Sequence, residues 1–198
     1  MIAHTVAAPV VGRRVVAPYG EDGGFVVVVV GPRGPLLPNG VRVTGTVTAG
    51  PVVVDGAEVW DPTLTLSAPI DVEPDASLLG RAPEEIGAEL IGRGPGLTPE
   101  GDDVVAGLAA VVASGPWPVA VREAWVGALI GDELRRRTTA LSATLLELAA
   151  RGMGPEPLQA VLAGRPSALD RLFAMGSTSG RAYARGAALG LSVLAMRA

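Results

Sequence analysis

Short apolar runs broken by Gly, Pro and Asn turns occupy the first third of the chain, and apolar residues at helical spacing occupy the remainder. The runs at residues 13–18, 25–30, 41–44, 46–48, 52–54 and 58–60 are valine-rich and bounded by turn residues such as Glu21-Asp22-Gly23-Gly24 and Pro38-Asn39-Gly40. β-branched runs between such turns predict strands. Their close spacing predicts a meander that curls into a small barrel or sandwich. The composition shifts near residues 71–80, and from Pro83 onward the periodicity is helical. Helices are predicted over residues 83–93, from Thr98, over 119–150 with a break near Gly131, and over 157–163, 167–175 and 178–196. In the last of these, Gly186 and Gly190 lie one turn apart beside Ala182 and Val193, which predicts close approach by a neighbouring helix. The expected fold is α+β, with a β-rich, barrel or sandwich-like N-terminal half (1–75) packed on a helical C-terminal half (76–198). No internal repeat or low-complexity segment interrupts this division.

Composition narrows the chemistry. All sixteen basic residues are Arg, Cys is absent and the one His is His4. Schiff-base lysines, a phosphate-loop lysine, thiol nucleophiles and His/Cys zinc sites are therefore excluded. A site must be built from carboxylates, hydroxyls, guanidinium groups and backbone amides, which suit anion positioning or a hard cation such as Mg²⁺. Hydrophobic residues at 48% against 18% charged argue for a packed globule rather than disorder. Runs such as Phe25–Val30 fall well short of the ~20 residues a spanning helix needs. A net charge of −4, with arginines scattered rather than striped, makes neither nucleic acid nor a membrane an expected partner. The exception is Arg135-Arg136-Arg137, a run suited to one anion. Residues 1–4 lack the basic start of a secretory signal, so the expected location is the cytoplasm.

Three polar islands stand out in the helical part. Gly94-Pro95-Gly96-Leu97-Thr98-Pro99-Glu100-Gly101-Asp102-Asp103 is a glycine-rich turn entering a helix whose start carries three acids and no base. Thr98 is the expected cap and Pro99 suits the first helical position. The helix dipole offsets only about 0.3–1 kcal/mol per exposed acid, so groups outside the helix must compensate this charge. Gly96, Thr98 and Gly101 are candidate binding positions, and Glu100, Asp102 and Asp103 candidate catalytic acids, able to hold Mg²⁺ or to accept hydrogen bonds from an amide. The second island is Arg137-Thr138-Thr139-Ala140-Leu141-Ser142, where Thr138 and Ser142 are four apart and would share a helical face next to Arg137. The third, Gly176-Ser177-Thr178-Ser179-Gly180, is another glycine-flanked helix start, rich in hydroxyls and suited to phosphate or carboxylate. Each island also has a purely structural reading: caps, surface charge, or hydroxyls bonded back to their own helix.

These three motifs, in this order and with this spacing, followed by Ala106-Gly107 after the first and Gly186 after the third, resemble a bacterial domain-of-unknown-function family. That family includes the small subunit assigned to oxamate carbamoyltransferase in allantoin degradation. The resemblance covers about the C-terminal two-thirds, and Gly31-Pro32 with Trp60-Asp61-Pro62 forms a weaker N-terminal echo. The chain departs from the pattern at Val104, where the family often has an aromatic residue or leucine, and at Arg181, where it often has an acid.

The resemblance implies transfer of a carbamoyl group between carbamoyl phosphate and a small amide such as oxamate, by one subunit of a heteromeric assembly or an oligomer. Under that reading Arg137 and the 176–180 amides hold phosphate, Thr138, Thr139, Ser142, Ser177, Thr178, Ser179 and Gly180 line the substrate site, and Asp102 or Asp103 orients the amide or a Mg²⁺. Two alternatives stand beside it. One is a non-catalytic subunit that binds a small anion or a partner. The other is a Mg²⁺-dependent hydrolase built on Glu100, Asp102 and Asp103 with Glu123, Asp132 or Glu133 converging on them.

Overall fold

A computed structural model describes residues 4–8, 10–11, 14–19, 25–30, 34–42, 50–54 and 60–196. Eight helices dominate it: α1 Pro83–Leu90, α2 Glu100–Ala113, α3 Val119–Ile130, α4 Leu134–Arg137, α5 Ala140–Ala149, α6 Glu156–Leu162, α7 Ala168–Phe173 and α8 Ser179–Met196. Six short strands precede them: β1 His4–Ala8, β2 Val10–Val11, β3 Arg14–Tyr19, β4 Phe25–Val30, β5 Gly40–Arg42 and β6 Gly50–Val54. β1 and β6 form one antiparallel ladder. The order β2-β3-β4-β5 forms another, antiparallel except for its parallel β4/β5 pair.

This corrects the expected α+β build. The protein is a helical assembly, and neither a barrel nor a β-rich half forms among the described residues. Closing a barrel would require the edges β2 and β5 to pair, whereas they end an open ladder. Valine runs favour extended backbone locally but do not specify which runs pair. The main hydrophobic core among the described residues is built largely from the helices. The segments 46–48 and 58–59, the Glu21–Gly24 turn and Gly31-Pro32 lie outside the described residues.

α2 is the central element. Val105, Leu108, Ala109, Ala110, Val111 and Val112 are all fully buried, as expected of a helix that is apolar all round. α8 lies along it in the same direction. A methyl group at Gly186 would meet the Val104 carbonyl oxygen at 2.0 Å, one at Gly190 would meet Val111 Cβ at 2.8 Å, and Gly115 faces Leu194. The small residues of α8 thus let two backbones approach as the Gly186/Gly190 spacing predicts. Because the two helices are parallel, their N-termini are neighbours. Gly87 plays the same part between α1 and α3, where a Cβ would fall 1.8 Å from the Leu129 carbonyl oxygen.

Glycines also mark the breaks. Gly131, at φ 68°, ends α3, and the left-handed Glu133 that follows starts α4. The segment 60–72 crosses the far side, with Leu64 donating to the Gly152 carbonyl at 2.9 Å and Ser67 and Ala68 to that of Leu162. Val30 and Leu36 form a small satellite cluster with Leu141 and Leu145 of α5. Arg42 reaches Glu156 at the start of α6, at 2.6 Å. No helix among the described residues is long and apolar enough to cross a membrane.

Candidate functional site

The three islands meet at the start of α2. Thr139 caps α5 by accepting from the Ser142 amide at 3.1 Å, and its hydroxyl donates to the Leu97 carbonyl at 2.6 Å. Thr98 Oγ1 lies 3.4 Å from Ser179 Oγ at the first residue of α8. Three helix N-termini, those of α2, α5 and α8, are therefore tied to one loop, and their partial positive ends face a common neighbourhood. The cap is one residue later than expected: Pro99 takes the N-cap position without a side-chain bond, and its carbonyl accepts from the Asp102 and Asp103 amides.

The three acids diverge. Glu100 turns outward to Arg185, and both side chains are 44% exposed. Asp102 is 2% exposed; its Oδ1 accepts from the Gly92 amide at 2.6 Å and its Oδ2 from the Thr138 hydroxyl. Two strong donors thus satisfy a buried carboxylate, as burial of charge requires. Asp103, equally buried, has no hydrogen-bond partner on Oδ2. Burial pushes its pKa up from 3.8 to about 7; the Ser179 hydroxyl opposes the rise, and the negative charges of Asp102 and Glu100 add to it. Tyr183, one turn beyond Ser179, is buried beside the acids, and burial together with the charges of Asp103 and Asp102 raises its phenol above the usual range.

The other candidates are placed differently. Arg137 donates to the Gly87 carbonyl at 2.7 Å and so fastens α4 to α1. Thr138 is extended, because the chain breaks between α4 and α5, and it does not share a helical face with Ser142. The Ser142 hydroxyl is buried without a partner. Gly96 sits at φ 96° in the open loop. A Cβ at Gly101 would meet the Leu90 carbonyl oxygen at 2.1 Å, and one at Gly180 the Leu172 carbonyl oxygen at 1.7 Å, so both glycines serve backbone packing. Their amides are also engaged, with Arg93 and Met175 carbonyls. Ser177 and Thr178 are exposed on the turn before α8. Arg181 stacks over Phe173, 4.6 Å from the ring centre.

The described residues contain no group of three or more His, Asp or Glu side chains able to hold a metal. Glu133 pairs with Arg136 instead, at 2.6 Å. The three-acid Mg²⁺ centre therefore lacks its convergent carboxylates. Tyr183 and the Gly92 amide lie beside Asp102 and Asp103 and are not among the sequence-based candidates. Tyr183 carried a signal, since it is four residues from Ser179 on one helix; the Gly92 contribution is backbone and leaves no mark in side-chain chemistry.

What the arrangement can do follows from Asp103. A carboxyl raised towards neutrality, with a hydroxyl beside it and a buried oxygen left without a partner, has the chemistry to take a proton or a hydrogen bond from an amide nitrogen that reaches it. The starts of α5 and α8, which carry no acid in their first turns, favour a negatively charged group on the same ligand. A family model described as oxamate carbamoyltransferase subunit AllH matches residues 90–191, just over half the chain and the stretch that holds all three islands. No curated protein and no solved structure matches.

Proposed function

The chain belongs to the family of the oxamate carbamoyltransferase subunit AllH, and from that premise we propose that it works in a heteromeric assembly moving the carbamoyl group of carbamoyl phosphate to a small amide such as oxamate. In this reading the start of α2 holds the amide. The observation that carries it is Asp103, a buried carboxyl raised to about 7 with an unpartnered oxygen. During transfer the amide nitrogen bonds to the carbamoyl carbon, the bond from that carbon to the phosphate oxygen breaks, and phosphate leaves with the electron pair. One proton leaves the nitrogen, and ionised Asp103 accepts it.

Asp102 has a different part. Held by the Gly92 amide and Thr138, it fixes the loop from α1 against α2 and stands as a positioning residue. The start of α8, which carries Ser179 and no acid, stabilises the negative end of the substrate. A second reading, a non-catalytic anion-binding subunit, draws support from Arg137, which spends one of its guanidinium donors on the Gly87 carbonyl and so serves packing as well. Under both readings the partner subunits complete what this chain lacks.

Thermal unfolding of the full chain with oxamate, carbamoyl phosphate and phosphate tests the amide site. A ligand at ~100 times its Kd stabilises the folded state by about 2.7 kcal/mol. The proposal expects a shift with oxamate that is lost in Asp103→Asn. An equal oxamate shift in wild type and variant would overturn it.

A further inference from the structure

A separate cavity of about 280 Å³ opens on the face of α2 that carries Glu100 and Val104. Its floor is apolar, formed by Leu78, Leu90, Val104 and Leu189. Its polar lining is Asp75, Arg93, Glu100 and Arg185, two acids and two guanidinium groups. The volume is near the lower end of small-molecule pockets, roughly 300–1,000 Å³. Oxamate and carbamoyl phosphate are polar throughout and would leave that floor bare.

The charged groups are arranged for exchange. Arg185 pairs with Glu100; Asp75 is lowered chiefly by the Ser77 hydrogen bonds, with a smaller contribution from the Arg185 charge. Both Ser77 bonds fall on Asp75 Oδ1. Arg93 is 69% exposed and approaches Glu89 only to 3.8 Å. A guanidinium matches a carboxylate in bidentate fashion, and an ammonium group fits beside the acids. We propose that this cavity is a second binding site, for a zwitterionic α-amino acid whose apolar side chain covers Leu78, Leu90, Val104 and Leu189 while its carboxylate meets Arg93 and its ammonium meets Asp75.

Calorimetric titration of the full chain with L-leucine and L-phenylalanine tests the site, with 4-methylpentanoate and isopentylamine as analogues that each lack one charge. The expected result is saturable binding of an amino acid, at least about tenfold weaker for both analogues. Arg93→Ala and Asp75→Ala, both exposed positions, should each weaken it by about tenfold, while Asp103→Asn leaves it unchanged. Absence of amino-acid binding in the millimolar range, equal binding of the analogues, or indifference to both cavity variants would overturn the proposal. Loss of amino-acid binding in Asp103→Asn would also overturn it, by moving the ligand to the other site.

Discussion

Replacing Asp103 with Asn should stabilise the protein at alkaline pH. Asp103 is 2% exposed, and its carboxyl titrates at about 7 rather than 3.8. The folded value lies above the unfolded one, so between these limits the native state binds more protons than the unfolded chain. Stability therefore falls as pH rises through that window and levels off above about 7. At 1.36 kcal/mol per pKa unit, the rise corresponds to a penalty of about 4 kcal/mol for holding the ionised group. Relaxation and water entry reduce it, so a difference on the order of 2–4 kcal/mol is expected. The assay is urea unfolding of wild type and Asp103→Asn at about pH 4 and about pH 8. Any cost of placing the Asn amide is common to both pH values and cancels in the comparison. Wild type should lose stability relative to the variant on going to the higher pH. A stability gap that does not change with pH, or that moves the other way, would refute the burial argument.

Four further substitutions probe the frame around it. Thr138→Val strips one of two donors from buried Asp102 and should lower unfolding free energy by about 1–3 kcal/mol, measured by the same denaturation. Gly186→Ala places a methyl 2.0 Å from the Val104 carbonyl oxygen; separation of α2 from α8 should cost more than about 4 kcal/mol or abolish folding, visible by circular dichroism. Gly127→Ala, whose methyl would meet nothing within 4 Å, should instead stabilise α3 by about 0.5–1 kcal/mol in thermal melts. Glu100→Gln opens an ion pair whose side chains are 44% exposed and should change stability by less than about 1 kcal/mol, by urea midpoint.

The helices were largely legible because their ends are written in residues with backbone consequences. Pro83, Gly131, Gly152 and Gly176 fall at starts or stops, and the last three have positive φ. The expected helix over 178–196 is α8, Ser179–Met196. The close approach at Gly186 and Gly190 was legible for the same reason, since only missing side chains permit it. The fold class was not legible. Valine runs encode extended backbone without encoding partners, so they suggest a barrel or sandwich where the described residues form two short ladders.

At the site, pattern showed which residues are polar but not where they point. Glu100, Asp102 and Asp103 are near neighbours in sequence, yet helical rotation sends them to Arg185, to Gly92 with Thr138, and towards Ser179. Arg137 read as an anion holder because a guanidinium has many donors; a backbone carbonyl fifty residues away takes one of them.

The rate of carbamoyl transfer to oxamate by the assembled complex, with this subunit as wild type or Asp103→Asn, tests the central claim most directly. With assembly verified by mass, the account predicts a loss of roughly 10²–10⁴-fold in kcat for the variant, the range expected when a positioned proton acceptor is removed. Equal rates in two fully assembled complexes would contradict it.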